Sequence, residues 1–156
     1  MTLLHRPFIA VVTTTRHEVE LKKGSRPAPG SPFPLDDVER VRLGFVIENT
    51  GTTAAQKLQT EFDWTQQGAG WKTPRGGTSE IVPKQQRTVV ADVDGDAIRK
   101  AIGGTVLKAV FKVTFSNTFG DPFETTHYIM VIPEAAGGNV TSLTVWDLDK
   151  ETWAAR

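Results

Sequence analysis

The chain has 156 residues, and 18 Lys and Arg side chains balance 18 Asp and Glu side chains, so its formal net charge is zero. This length suits one domain of ordinary size, and the charge balance argues against binding nucleic acid through bulk electrostatics. The absence of cysteine excludes disulfides, thiolate zinc sites and a cysteine nucleophile.

The N-terminal residues lack the pattern of a targeting signal. Basic residues interrupt the apolar run of residues 1–12, and no small-residue cleavage site follows it. No apolar stretch approaches the ~20 residues of a membrane-spanning helix. We therefore expect no direct insertion of this chain into a membrane. Its compartment stays undetermined, since a domain of a larger cell-envelope protein and one of a cytoplasmic protein both fit.

The first half of the chain is rich in strand signals. Residues 8–15 are β-branched and predict a first strand. Residues 22–37 follow as a proline-rich loop, because proline cannot donate to the ladder of a central strand. Residues 41–48 alternate apolar and polar side chains, which predicts a strand with one solvated face. A turn at 49–52 leads to a further strand at 58–64.

The middle of the chain predicts two short strands and the one expected helix. Residues 81–82 and 88–93 are the strands, on either side of a proline-containing turn. The helix is expected over 97–102, with Asp96 as its N-cap and two glycines closing it.

A hairpin dominates the last third. Residues 106–115 alternate with one fully apolar face, a turn follows at 117–122, and 123–132 return as the partner strand. Pro133 is expected to end that strand. Residues 135–138 are expected to form a flexible break, and 140–146 an edge strand before a fraying or briefly helical terminus.

These short strands predict an all-β fold, an antiparallel β-sandwich with about seven strands and at most one short helix. A closed barrel is the structural alternative. We expect one domain over residues 1–135, with 136–156 as a C-terminal edge strand or flexible tail. The predicted core consists of Val41, Leu43, Phe45, Ile47, Leu58, Phe62, Trp64, Leu107, Phe111, Val113, Phe115, Tyr128 and Met130.

Residues 38–132 resemble bacterial immunoglobulin-like modules of the cell-adhesion-related type. The resemblance rests on an alternating strand at 41–48 that ends in Asn49-Thr50-Gly51, and on the Pro83-Lys84-Gln85 turn before the next strand. The hairpin turn at 117–120 is similar to turns late in related domains. The family implies a sandwich that mediates contacts, and it carries no catalytic residues to transfer.

Two clusters are candidates for binding. Trp71, Lys72 and Arg75 place an aromatic ring and two cations on a glycine-rich loop, where they can stack a sugar or a partner side chain. The alternative is that Trp71 folds back to cap the end of the fold.

Asp92, Asp94 and Asp96 alternate like the oxygen ligands of a calcium loop. They lack the glycine and the twelfth-position glutamate of an EF-hand, which favours a polar strand end over a metal site. The three histidines, His5, His17 and His127, are isolated in sequence, and His127 is the preferred one if a histidine titrates functionally.

Three functions remain open. The first is a non-catalytic module, not an enzyme and without a cofactor, that contacts a protein partner or a second copy of itself through loops or an edge strand. The second is a sandwich that binds carbohydrate or another small ligand through the Trp71 loop. The third is an enzyme or metal protein whose site forms only in space.

Overall fold

A computed structural model describes residues 6–14, 17–28, 30–65 and 79–156. The described residues form ten antiparallel strands and two short helices, so the predicted all-β class is confirmed. The elements are β1 (Ile9–Thr14), β2 (Glu18–Leu21), β3 (Phe33–Pro34), β4 (Val38–Asn49), β5 (Ala55–Trp64), β6 (Ser79–Ile81), β7 (Gln86–Asp94), α1 (Gly95–Ile102), β8 (Leu107–Ser116), β9 (Pro122–Ala136), β10 (Asn139–Leu148) and α2 (Lys150–Ala155).

The first sheet, sheet I, is built around β4. Its predicted alternation is present, because Val41, Leu43, Phe45 and Ile47 are all buried. β1 and β2 pair with successive parts of one edge of β4, and β7 pairs along the other edge. β1 lies within the predicted first strand, and β2 is a second strand that also uses β4 as its partner.

The second sheet, sheet II, has the strand order β3-β10-β9-β8-β5-β6 and curls into half a barrel. The hairpin of β8 and β9 forms its centre, as the alternation of residues 106–115 predicts. Its turn is fixed by Asn117, whose side-chain oxygen accepts hydrogen bonds from the backbone N–H groups of Phe119 and Asp121, both at 2.9 Å.

One hydrophobic core contains residues from both sheets. The ring of Phe45 in sheet I lies 5.2 Å from that of Phe62 and 5.6 Å from that of Phe111, which both belong to sheet II. Each such side chain contributes ~1.5–3 kcal/mol through burial. The predicted core residues are buried, with the exception of Tyr128, which is half-buried.

The turn after β4 is held by a buried asparagine. The Asn49 side-chain oxygen accepts hydrogen bonds from the N–H groups of Phe8 and Gly51, and its amide donates to the carbonyls of Thr53 and Ile81. Asn49 thereby ties β1 and β6 to the same turn. Because the side-chain oxygen accepts two hydrogen bonds and the amide donates two, the burial of Asn49 does not leave an unsatisfied side-chain atom.

The C-terminal half of β9 differs from its prediction. Pro133 does not end the strand but pairs with Leu143, since the ladder with β8 has already ended at Val131 and no donor is needed on that side. The predicted flexible break is a tight hairpin turn, in which Gly137 and Gly138 have φ of 60° and 81°. Such positive φ values match the primed turns that join antiparallel strands.

The predicted inward face of β9 is also wrong by one residue. Ile129 and Val131 belong to the hydrophobic core, whereas Tyr128 and Met130 lie on the opposite face of sheet II. That outer face is covered by α2. The indole Nε1 of Trp153 donates to the carbonyl of Ile129 at 2.9 Å, and the ring lies 5.2 Å from that of Tyr128.

Both helices differ in part from the prediction, α1 in its N-cap and α2 in being a second helix. α1 begins at Gly95 with Asp94 as N-cap, so Asp96 lies inside the helix and does not cap it. α2 exceeds the expected maximum of one helix, and the Asp149 side chain caps it by accepting a hydrogen bond from Thr152 N–H at 2.8 Å. In the described part of the chain neither helix has the length and apolar character needed to cross a membrane.

Candidate functional site: a lateral seam between the sheets

The loop predicted to bind a ligand lies outside the described residues. Trp71, Lys72 and Arg75 fall within residues 66–78, for which the structure gives no placement. A ligand site on this loop therefore stays a prediction.

The three aspartates predicted as weak metal ligands have other partners. Asp92 Oδ1 accepts a hydrogen bond from Arg42 Nε at 3.0 Å, and Asp96 Oδ1 accepts one from Arg99 at 2.6 Å. Asp94 shares a face of β7 with Asp92, whereas Asp96 lies in α1. Across the described ranges, no group of three His, Cys, Asp or Glu side chains is placed to hold a metal ion.

Ion pairing and burial shift these carboxylates in opposite directions. Burial raises the pKa of Asp94, and repulsion from Asp96 raises it further, against the attraction of Arg40. The hydrogen bond from Arg99, followed by the guanidinium charge, lowers the pKa of Asp96. The strand end at 92–96 is therefore a polar junction between β7 and α1.

A different surface opens where the edge of sheet I faces the edge of sheet II. We define the lateral seam as residues 11–14 of β1 and residues 141–147 of β10. Two cavities lie along it, with volumes of about 270 and 480 Å³. The smaller has Phe45 and Ile129, which are both buried, in its lining. The smaller cavity therefore lies against the apolar core, whose side chains stay shielded from solvent there.

The seam is open because the strands beside it lack outer neighbours. β1 pairs only with β4 among the described strands. On its outer edge β10 pairs with the two-residue strand β3 at Asn139 and Val140 and with no other described strand. The remainder of that edge presents backbone N–H and C=O groups outward, an arrangement that templates pairing with a further chain.

A histidine shows which backbone groups of β10 point outward. His17 Nε2 lies 2.9 Å from the carbonyl oxygen of Leu143, across the larger cavity. The N–H and C=O of one strand residue point to the same side in an antiparallel sheet, and the side alternates along the strand. Leu143, Val145 and Asp147 therefore direct their backbone groups to the open edge.

A second histidine closes the far end of the seam. His127 lies opposite Phe111 on the inner face of sheet II, with its ring 5.9 Å from that of Phe111. Its Nδ1 lies 3.1 Å from Asp147 Oδ2, and its buried Nε2 has no hydrogen-bond partner within the described ranges. The pair joins β9 to the end of β10 and holds one carboxylate at the mouth of the smaller cavity.

The described part of the seam lining is otherwise uncharged. Among the described residues that line the two cavities, Asp147 has the one carboxylate, and there is no Lys or Arg. His17 is the one other titratable side chain in that described lining. Val12 on β1 is 43% exposed, and Trp146 on the outer face of β10 is 48% exposed. The described lining thus offers a ligand backbone groups, valines, threonines, one histidine and one carboxylate.

Sequence reasoning found only part of this site. Residues 140–146 were predicted as an edge strand, and His127 as the histidine of interest. The facing of β1 and β10 and the bond from His17 to Leu143 were missed, because both join residues more than a hundred positions apart. The available signal was the run 139–148, which contains neither Lys nor Pro, the residues that usually protect an edge.

Comparison with known proteins assigns no family. No family model matches the chain, and no curated protein matches it. Among solved structures, the chain is similar to one described as a putative ApaA protein from Bordetella pertussis, with 10% identity and a TM-score of 0.45. The similarity covers 94% of this chain and 98% of that one. A similarity this low establishes neither the fold nor the function of the present chain.

Proposed function

We propose that this chain is a non-catalytic protein–protein interaction module with an immunoglobulin-like β-sandwich architecture, of the bacterial type that its sequence resembles. The observation that carries the proposal is the lateral seam, where the edge of β10 beyond Val140 has no partner strand among the described residues and borders two open cavities. Support for the sandwich comes from the packing of Phe45 in sheet I against Phe62 and Phe111 in sheet II.

The seam suits a protein partner because of its chemistry and its shape. An unpaired strand edge offers alternating donors and acceptors, which match the backbone of another chain. Exposed apolar side chains beside it, Val12 and Trp146, add surface that a partner removes from water. The larger cavity beside this edge, of about 480 Å³, is an open groove and not an enclosed pocket.

The test is a selection of peptides from a random library displayed on phage. We expect the immobilised protein to enrich a set of peptides. Val12→Arg should weaken their binding at least about tenfold, because a bound peptide would bury the arginine guanidinium in the seam, which is costly. Val90→Arg is the matched control. Val90 on β7 is 42% exposed, against 43% for Val12, but it lies away from the seam.

Two results would contradict the proposal. One is the absence of any peptide enriched over a surface without protein. The other is a set of enriched peptides whose affinity Val12→Arg and Val90→Arg change equally. Circular dichroism of both variants would establish that each keeps its fold.

A further inference from the structure

We propose that the partner binds by adding one strand along the open edge of β10, as an extended segment of alternating small, uncharged side chains with a basic residue at the end nearest Asp147. This inference rests on the proposed function and deepens it, because it names the mode of binding and the chemistry of the partner.

The direction of the backbone groups supports strand addition. Leu143 directs its carbonyl to His17, and the alternation of the strand places the groups of Val145 and Asp147 on the same open side. On the other side β10 is fully paired with β9 from Ser142 to Leu148. A partner strand would therefore break no ladder of the fold, and at Leu143 one of its N–H groups would replace His17 as the partner of the carbonyl.

The space beside this edge fits an extended chain. The larger cavity borders residues 141–145, and the smaller one continues to Asp147. At ~3.3 Å per residue, the edge from Thr141 to Asp147 is about 20 Å long and takes a segment of about seven residues. A strand in this position would lie between β10 and β1 and would narrow the gap between the two sheets.

The lining sets the side chains of the segment. Val11, Val145, Ile129 and Phe45 form an apolar floor, so an inward-facing charge would lose its hydration without a partner. Small β-branched residues suit such a half-buried, pleated surface. Asp147 lies at the end of this floor and is 41% exposed, where it can pair with a lysine or arginine of the partner.

A second copy of the chain is a poorer fit to the same edge. The edge that a second copy would offer, Asn139–Leu148, carries no basic residue to pair with Asp147.

The experiment uses synthetic peptides and the unaltered protein. The probe is a fluorescein-labelled peptide of about seven residues, alternating Val and Thr, with Lys at one end; a second probe has Lys at the other end. Matched controls replace Lys by Glu, or carry N-methyl groups on either of the two alternating sets of peptide amides. Binding is measured by fluorescence anisotropy, and amide exchange of Val145 and Asp147 by NMR.

We expect one of the two Lys probes to bind, and its Glu counterpart to bind at least about tenfold more weakly. N-methylation of the amides that face β10 should cost at least about tenfold, whereas methylation of the other set should change the affinity less than about twofold. Exchange at Val145 and Asp147 should slow on binding.

Three outcomes would overturn the inference. Equal loss, or no loss, with both methylated sets would exclude a strand ladder. Preference for Glu over Lys would exclude the pairing with Asp147. Sedimentation that shows a dimer disrupted by Val145→Pro would assign the edge to a second copy. If peptides from the phage library bind while these probes fail, the interaction module stands and strand addition fails; if neither binds, the proposed function itself fails.

Discussion

Asp94 is the last residue of β7 and the N-cap residue of α1. Its side chain makes no capping hydrogen bond to the helix backbone. Burial raises its pKa above the ordinary 3.8, so the folded chain holds this proton more tightly than the unfolded chain does. The free energy of unfolding should therefore fall as pH rises from below 3.8 through the raised value. An ionised Asp94 opposes folding at neutral pH.

Replacing Asp94 with Asn tests this directly, since Asn is an equally good N-cap. We expect Asp94→Asn to have a higher Tm than the unaltered protein at about pH 7 and the same Tm at about pH 3. The control is Asp96→Asn, which should have the opposite sign at neutral pH, because Arg99 lowers the pKa of Asp96. Thermal unfolding followed by circular dichroism gives both values. If Asp94→Asn had a lower Tm than the unaltered protein at neutral pH but not at about pH 3, the raised pKa of Asp94 would be contradicted.

Individual partners were the least predictable feature at this scale. The identity of Asp92, Asp94 and Asp96 as oxygen donors was plain from the sequence, but their arginine partners come from β4 and from α1. A run of carboxylates has the same sequence pattern whether its partner is an arginine of the protein or a metal ion from solvent. Only the pairing of β7 with β4 places Arg42 beside Asp92.

Elements with one apolar face were predicted well, and those with two were not. β4 and β8 alternate with few exceptions, such as Val46 and Val110, so their buried faces follow from the sequence. Residues 128–132 of β9 are apolar at every position, and alternation cannot say which set faces the core. The answer depends on α2, which covers Tyr128 and Met130 through Trp153. A short terminal helix has little sequence signal of its own.

The crossing of α1 over β4 depends on the absence of a side chain at Gly95. A Cβ added at this position would overlap the backbone carbonyl of Val38, which belongs to the start of β4 and cannot move without disturbing the sheet. We therefore expect Gly95→Ala to lower the free energy of unfolding by at least about 2 kcal/mol.

Gly103→Ala is the matched control at the other end of the same helix. A Cβ there would make ordinary contacts at 3.4 and 3.7 Å, and Gly103 has a negative φ. The change should be neutral or slightly stabilising, because alanine has less conformational freedom to lose on folding. Urea denaturation of the two variants compares them. Equal destabilisation by both would show that the helix end, and not the contact with β4, limits the substitution.

At the scale of the whole molecule, the sequence indicated about seven strands, against the ten that the described residues form, and it did not indicate how they are arranged. Local alternation and turns give strands and hairpins, such as β8 with β9. The facing of β1 and β10, which creates the lateral seam, joins the two ends of the chain through the order of strands in two sheets. No local pattern encodes that order, and so the candidate site could be predicted only as an exposed edge.

Phe45 is the point at which the two sheets meet, and it also lies in the floor of the seam. Phe45→Ala should lower the free energy of unfolding by about 3–5 kcal/mol, because it removes a fully buried ring and leaves a cavity between the sheets. Since one core serves both sheets, loss of strand signal and loss of tryptophan fluorescence should coincide in a single transition. Phe119→Ala is the matched control, since Phe119 is 80% exposed and should cost less than about 0.5 kcal/mol. Two separate transitions in the unaltered protein would show that the sheets fold independently, and the seam would then be a boundary between two units rather than a groove in one.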